Sequence, residues 1–177
     1  FDCMTKRYED LTATTFYGDK ISYGEMKEKI DDVAKGLASI GVVKGSRILE
    51  LLPTLPTTSH LFYGNSKIGG ISDFYDPRPD SINPKTNGEK LLKIIDDEKI
   101  SQLIVFDRSY IPFISTIEDE LKNRGIENIV VVSAKDSLTF KSQIKFLINE
   151  LGENDLKRLL KKLKDMEIFE QQFNQYI

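Results

Sequence analysis

The side chains able to do chemistry are few and scattered in this chain. Its single histidine, His60, follows Thr57, Thr58 and Ser59. A general base needs a nucleophile and an orienting group brought beside it, and a lone histidine with no such partner in view reads as a partly buried or surface residue. One histidine and one cysteine, Cys3, leave no way to assemble a zinc site from several Cys and His ligands, and no internal disulfide. The acidic run Asp96, Asp97, Glu98 reads as the solvated end of a helix. Asp73 interrupts an otherwise apolar run, which predicts a strand end or edge, with metal ligation as the alternative.

Two further patterns suggest ligands and are better explained by structure. The glycines of Gly41-Val42-Val43-Lys44-Gly45-Ser46 have the spacing of a phosphate cradle. Such a loop follows a strand and opens a helix, so that backbone N–H groups meet the phosphates; here the glycines follow a helical pattern and precede an apolar run, which predicts a helix C-terminal turn. Lys157, Arg158, Lys161, Lys162 and Lys164 could be taken for a nucleic-acid or anionic-lipid patch. Leu156, Leu159, Leu163, Met166 and Phe173 form a seam opposite them, and Asp155, Asp165 and Glu167 offset part of the charge, which predicts a packing helix with a solvated face. No catalytic, cofactor-binding or metal-ligating residue is assigned on these grounds.

The chain has 177 residues, 25 Lys+Arg against 28 Asp+Glu and a net charge of -3, without the basic excess of a nucleic-acid footprint. No run approaches the ~18 consecutive apolar residues of a membrane span. With one cysteine and no basic stretch followed by an apolar one at the start, the expected compartment is the cytoplasm, although a chain opening on Phe1 raises the expectation of a cut piece.

The elements that would position these groups follow from hydrophobic period. Ala13–Tyr17 and Lys20–Tyr23 are β-prone runs around a Gly18-Asp19 turn, predicting a hairpin. Tyr23, Met26, Ile30, Val33, Leu37 and Ile40 line one helical face, Ser22 and Glu25 have capping-box spacing, and Gly41 ends the helix. Arg47–Leu52, Ile71–Tyr75, Leu103–Phe106 and Ile129–Val132 read as apolar strands, with helices over Pro56–Lys67, Glu89–Glu98 and Ile111–Arg124 and a loop over Asp76–Gly88 between. Unbroken apolar strands alternating with amphipathic helices predict an α/β fold: a layered, mainly parallel sheet with helices on both faces, behind an N-terminal hairpin. Past that point come two helical stretches, Phe140–Leu151 and Asp155–Phe173, with no strand after them. The expected division is therefore an α/β subdomain over 1–136 and a helical tail over 137–177.

Ile21–Met26 (ISYGEM), Gly41-Val42, Gly45-Ser46-Arg47 and Ser66–Arg78 (SKIGGISDFYDPR), taken in this order and spacing, resemble the start of an adenylate-forming (AMP-binding) enzyme of the acyl-CoA synthetase type. Lys67, Gly69, Ile71, Asp76 and Pro77 fall where the family's Lys-Ala-Gly-Ala-Val-x-x-Pro-x-Asp-Pro segment places them, and Glu25 and Met26 match its helix start. Phe74, Asp73 and Ser46 depart from the pattern. The family's Ser/Thr/Gly-rich phosphate loop, ribose-binding aspartate and C-terminal lysine have no counterpart in this sequence. The resemblance thus implies an N-terminal fragment, inactive alone, whose matched residues are scaffold. ATP, Mg2+ and CoA would serve the intact parent, which joins a carboxylic acid to a thiol through an acyl-adenylate. The implied partners are the rest of that ligase, or a second copy met through the C-terminal helix. The alternatives are a non-catalytic α/β interaction module and a flavodoxin-like small-ligand domain.

Overall fold

The computed structural model describes residues 2–76, 84–110, 113–126, 128–139 and 142–143, with the backbone alone at 84–87. The chain divides into two compact units, Phe1–Ser137 and Leu138–Ile177. Apart from 142–143, which are helical, the expected helices at 140–151 and 155–173, with the seam and the basic face they would carry, lie outside the described residues.

The first unit opens with a short helix α1 (Asp2–Arg7) that no sequence pattern announced, followed by a hairpin of β1 (Thr12–Phe16) and β2 (Asp19–Ser22). The turn is Tyr17-Gly18 rather than Gly18-Asp19. Both residues have positive φ, 51° and 90°, the backbone of the tight hairpin turn whose twist matches that of its strands. The helix α2 (Tyr23–Ser39) starts at a full capping box: the Ser22 side chain accepts from Glu25 N–H at 3.2 Å, and the Glu25 carboxylate accepts from Ser22 N–H at 2.7 Å. Met26, Ile30, Ala34 and Leu37 are its buried residues, and Gly41 turns the chain out of the helix at φ 89°.

The main sheet holds β3 (Arg47–Leu51), β4 (Ile71–Phe74), β5 (Gln102–Phe106) and β6 (Ile129–Val132) in the order β4-β3-β5-β6, every pairing parallel. The helix α3 (Pro56–Lys67) crosses from β3 to β4 and α4 (Pro84–Glu98) from β4 to β5. Alternation along β3 sends successive side chains to opposite faces. On one face Ile48, Leu52, Ile104 and Val132 pack with Leu37 of α2 and Leu61 of α3. On the other Leu49, Leu51, Leu103 and Val105 pack with Leu91 and Ile95 of α4. Helices therefore cover both faces, as parallel connections require.

Two helices depart from expectation. Helix α4 begins at Pro84 rather than Glu89, because proline is suited to a first helical turn and its fixed φ favours starting there. The continuous helix expected over Ile111–Arg124 is replaced by pieces. A short α5 (Asp107–Tyr110) comes first, then a 3-10 turn at Ile114–Ile117, then α6 (Glu118–Asn123) closed by Gly125 at φ 80°. The apolar period survives the break, since Phe113, Ile114 and Leu121 are all buried in the α4 face.

Candidate functional site

In an open parallel sheet ligands settle outside the strand C-termini. Here β3 ends at Leu51, Pro53 offers no donor to extend the ladder, and Pro56 takes the first position of α3. The Thr58 hydroxyl donates to Pro53 C=O at 2.9 Å, folding the connection back on the helix start. Thr57 N–H donates to the Ser137 hydroxyl at 3.2 Å, and the two hydroxyls lie 2.6 Å apart. On the neighbouring strand, Tyr75 N–H donates to Glu50 C=O at 3.1 Å, which carries β4's direction one residue past its end. Between these two strand exits a cleft of about 680 Å³ is lined by Leu52–Leu55, Thr58, Ser59 and Phe74–Asp76.

The chemistry of that cleft is limited. Among the described residues its lining offers apolar surface, four hydroxyls and one carboxylate, Asp76, but no basic side chain. A polyphosphate needs cations or several free N–H groups at a helix start. At α3 the Thr57 N–H is taken by Ser137 and the Thr58 N–H by Leu55 C=O at 3.1 Å. The described residues thus do not fit a triphosphate, and they suit an uncharged or apolar portion of a ligand. Among them, no group of three or more His, Cys, Asp or Glu side chains is placed to hold a metal ion.

The residues singled out in sequence are not brought together. His60, on α3, is buried more completely than the partly buried or surface position expected of it. Burial, with the charge of Lys29 in support, pushes its imidazole down to about 4. Its Nε2 has no hydrogen-bond partner. A histidine of that kind is neutral at pH 7 and a poor base. Asp73 lies on the edge strand β4, where its two oxygens accept from Arg47 Nη2 and Nε at 3.0 and 3.1 Å. The same Arg47 reaches Glu98 at 2.7 Å, and Arg124 Nε holds both oxygens of Asp96 at 3.0 and 3.1 Å. The acidic end of α4 is accordingly tied into ion pairs, not merely solvated. Gly41 and Gly45, at φ 89° and 87°, form the turn between α2 and β3, and Gly45 N–H donates to Gly69 C=O at 2.8 Å.

One residue escaped notice. Glu50 lies in the middle of β3, completely buried, and neither carboxyl oxygen has a hydrogen-bond partner. Burial pushes its carboxyl up to about 7; the nearby Ser72 hydroxyl offsets a little of that without forming a well-made hydrogen bond. The signal that flagged Asp73, an acid inside an apolar run, is equally present in Arg47–Leu52.

A model of the AMP-binding enzyme family matches residues 1–165. The chain is 28% identical over 145 residues to a long-chain-fatty-acid–CoA ligase of Bacillus subtilis (strain 168), a match covering 81% of this chain and 24% of that protein. Among solved structures, an anthranilate CoA ligase in complex with anthranoyl-AMP superposes with a TM-score of 0.63 at 21% identity, covering 81% of this chain and 26% of the other. A fatty acyl CoA synthetase of Mycobacterium tuberculosis gives 0.63 at 18% identity, over 81% and 27%. The fold is thus that of these enzymes' matching portion, and the chain spans about a quarter of their length.

Proposed function

The chain belongs to the family of AMP-binding enzymes, and from that membership we propose that it forms the N-terminal α/β part of an AMP-forming acid–thiol ligase. The observation that carries this reading is the family match over residues 1–165. The similarity to a long-chain-fatty-acid–CoA ligase favours a CoA-dependent acid ligase over a peptide-synthetase adenylation domain. ATP, Mg2+ and CoA serve the intact ligase, where they supply the activation of a carboxylate and the thiol that accepts it. The residues here do other work: Glu25 fixes the start of α2, Gly70 lets the chain pass where a Cβ would lie 1.8 Å from Asn65 Oδ1, and Arg47 ties β4 to β3 through Asp73. The partner is the remainder of the ligase, or a second copy met through residues 137–177. The net charge of -3 argues against nucleic acid, and the single cysteine argues for the cytoplasm.

The reading is tested by ATP–pyrophosphate exchange with a panel of carboxylic acids. The purified chain should give none, since no cationic phosphate cradle exists among its described residues. Saturable exchange that is lost on heating would place the chemistry in this chain and overturn the assignment. The coding sequence past Ile177 provides the complementary check. A Ser/Thr/Gly-rich loop there supports a ligase parent, whereas an immediate stop codon favours a free-standing interaction module.

A further inference from the structure

Between β3, β4 and α3 lies a small polar cluster enclosed by apolar side chains. Glu50 and Asn65 are 0% and 1% exposed. Asn65 donates from Nδ2 to the Ser72 hydroxyl at 2.9 Å, and its backbone carbonyl accepts from Gly70 N–H at 2.9 Å, so it ties the end of α3 to the start of β4. Asn65 Oδ1 and both Glu50 oxygens have no donor. With Glu50 ionised the cluster therefore holds three unpartnered acceptors and no cation, a costly arrangement out of water. A proton on Glu50 removes the charge and adds a second donor, beside the Ser72 hydroxyl, to a cluster rich in acceptors.

We propose that Glu50 is a buried proton switch for the edge strand β4: the protonated carboxyl lets β4 seat against β3 and α3, and loss of the proton favours its release. The consequence reaches the cleft, because Phe74 pairs with Glu50 in the ladder and the Glu50 carbonyl holds Tyr75 N–H, and both Phe74 and Tyr75 line the cleft wall. Other titratable groups around β4 do not share this role. Asp73 and Arg47 project from the opposite face of the sheet and neutralise each other, and Glu98 of α4 joins them there. From β5, the residue paired with Glu50 is Ile104. His60 is the ionisable group of α3 nearest in sequence to Asn65 among its buried residues, and the charge acting on it is that of Lys29 on α2. Within the Asn65–Ser72 cluster, Glu50 is the titratable group.

Amide hydrogen exchange across pH 5–8, corrected for intrinsic rates, measures the release of β4. In the wild-type chain the opening constant of the Ser72–Tyr75 amides should rise by up to about tenfold per pH unit from pH 5 and level off above pH 7, as one-proton linkage requires. In Glu50→Gln it should stay flat over that range. A wild-type chain with no pH dependence, or a Glu50→Gln chain with the same dependence, overturns the proposal. Should Glu50→Gln not fold, Glu50→Leu serves in its place. A direct 13C titration of the Glu50 carboxyl in the wild-type chain is independent of both variants. Titration near neutrality supports the switch, and titration at an ordinary carboxylate value refutes it.

Discussion

The two faces of the main sheet use the same strands and differ in what they enclose. On the α4 side, Leu49, Leu51, Leu103 and Val105 meet Leu91, Ile95, Ile114 and Leu121 in one apolar cluster. On the α2–α3 side the apolar set of Ile48, Leu52, Leu61, Ile104 and Val132 surrounds or adjoins Glu50, His60 and Asn65, all buried, each with at least one unpartnered polar atom. The first face is stabilised by burial at roughly 1.5–3 kcal/mol per large side chain. The second gives part of that back in desolvated polar groups. It is also the face that carries the cleft at the strand ends. A region whose packing is compromised by polar groups and a region beside a ligand-sized opening thus coincide, which is the usual place for natural proteins to depart from local rules.

The sharpest test of this contrast exchanges a carboxyl between the faces. Leu103→Glu puts into the apolar face what Glu50 already places in the other. It should cost at least about 4 kcal/mol and leave little folded chain, through burial of a carboxyl where no donor exists and loss of a core leucine. Glu50→Leu should act in the opposite direction. A carboxyl raised from 4.5 to about 7 represents roughly 3 kcal/mol of penalty at pH 8, and leucine removes it. Denaturant melts at pH 8 decide the matter. Equal losses from both substitutions would mean that the two faces do not differ.

The pH profile sharpens the comparison further. Glu50 has a folded-state value above its unfolded one, so the stability it allows is complete below pH 4.5 and falls as pH rises toward 7. His60 has a folded-state value near 4 against 6.5 unfolded, so stability falls as pH drops from 6.5 toward 4. Between pH 4.5 and 6.5 the two slopes oppose each other, and these two residues together should leave stability nearly flat. Removing one exposes the other. Glu50→Gln should lose stability on acidification by about 1.4 kcal/mol per unit in that window, while His60→Leu should lose a similar amount per unit as pH rises. Urea midpoints at half-unit steps provide the measurement, and parallel profiles for the two variants would contradict the assignment.

Much of the first unit was legible because its elements obey one simple period each. Ser22 and Glu25 announced the start of α2, Pro56 and Lys67 bounded α3, and the four apolar runs became four parallel strands. What misled was local chemistry with more than one solution. Tyr17 adopts positive φ beside Gly18, a conformation glycine takes freely and tyrosine rarely, so the hairpin turn fell one residue earlier than Gly18-Asp19 suggested. Phe113, Ile114 and Leu121 fit one helical stripe yet fall just before a 3-10 turn, inside it and in a separate helix, since burial fixes where side chains go and not how the backbone links them. Glu50 was hidden for a different reason. A single acid in an apolar run fits a strand edge as well as a core, and only the strand order, with β3 inside and β4 outside, separates Glu50 from Asp73.

The smallest expected effect lies on the outer side of the polar face, where α2 and α3 are joined by charge. Asp31 accepts from Lys27 at 2.7 Å along its own helix and from Lys67 across to α3, and those two hydrogen bonds hold its carboxyl down to about 2. A depressed value means that the stability gained is present above the unfolded value of 3.8 and lost as pH falls through 2. Asp31 and Lys67 remain 29% and 41% exposed, so solvent and salt screen much of the interaction. Asp31→Asn should therefore cost under about 1 kcal/mol at pH 7, and less still in 1 M NaCl. Beneath this pair the helices meet more closely: a Cβ at Gly64 would fall 2.6 Å from Val33 Cγ1. Packing of that kind does not respond to salt. A loss from Asp31→Asn that is large, or unchanged by salt, would show that the ion pair rather than the Gly64–Val33 approach holds α3 to α2, and the polar face would then depend on its surface charges as well as on its core.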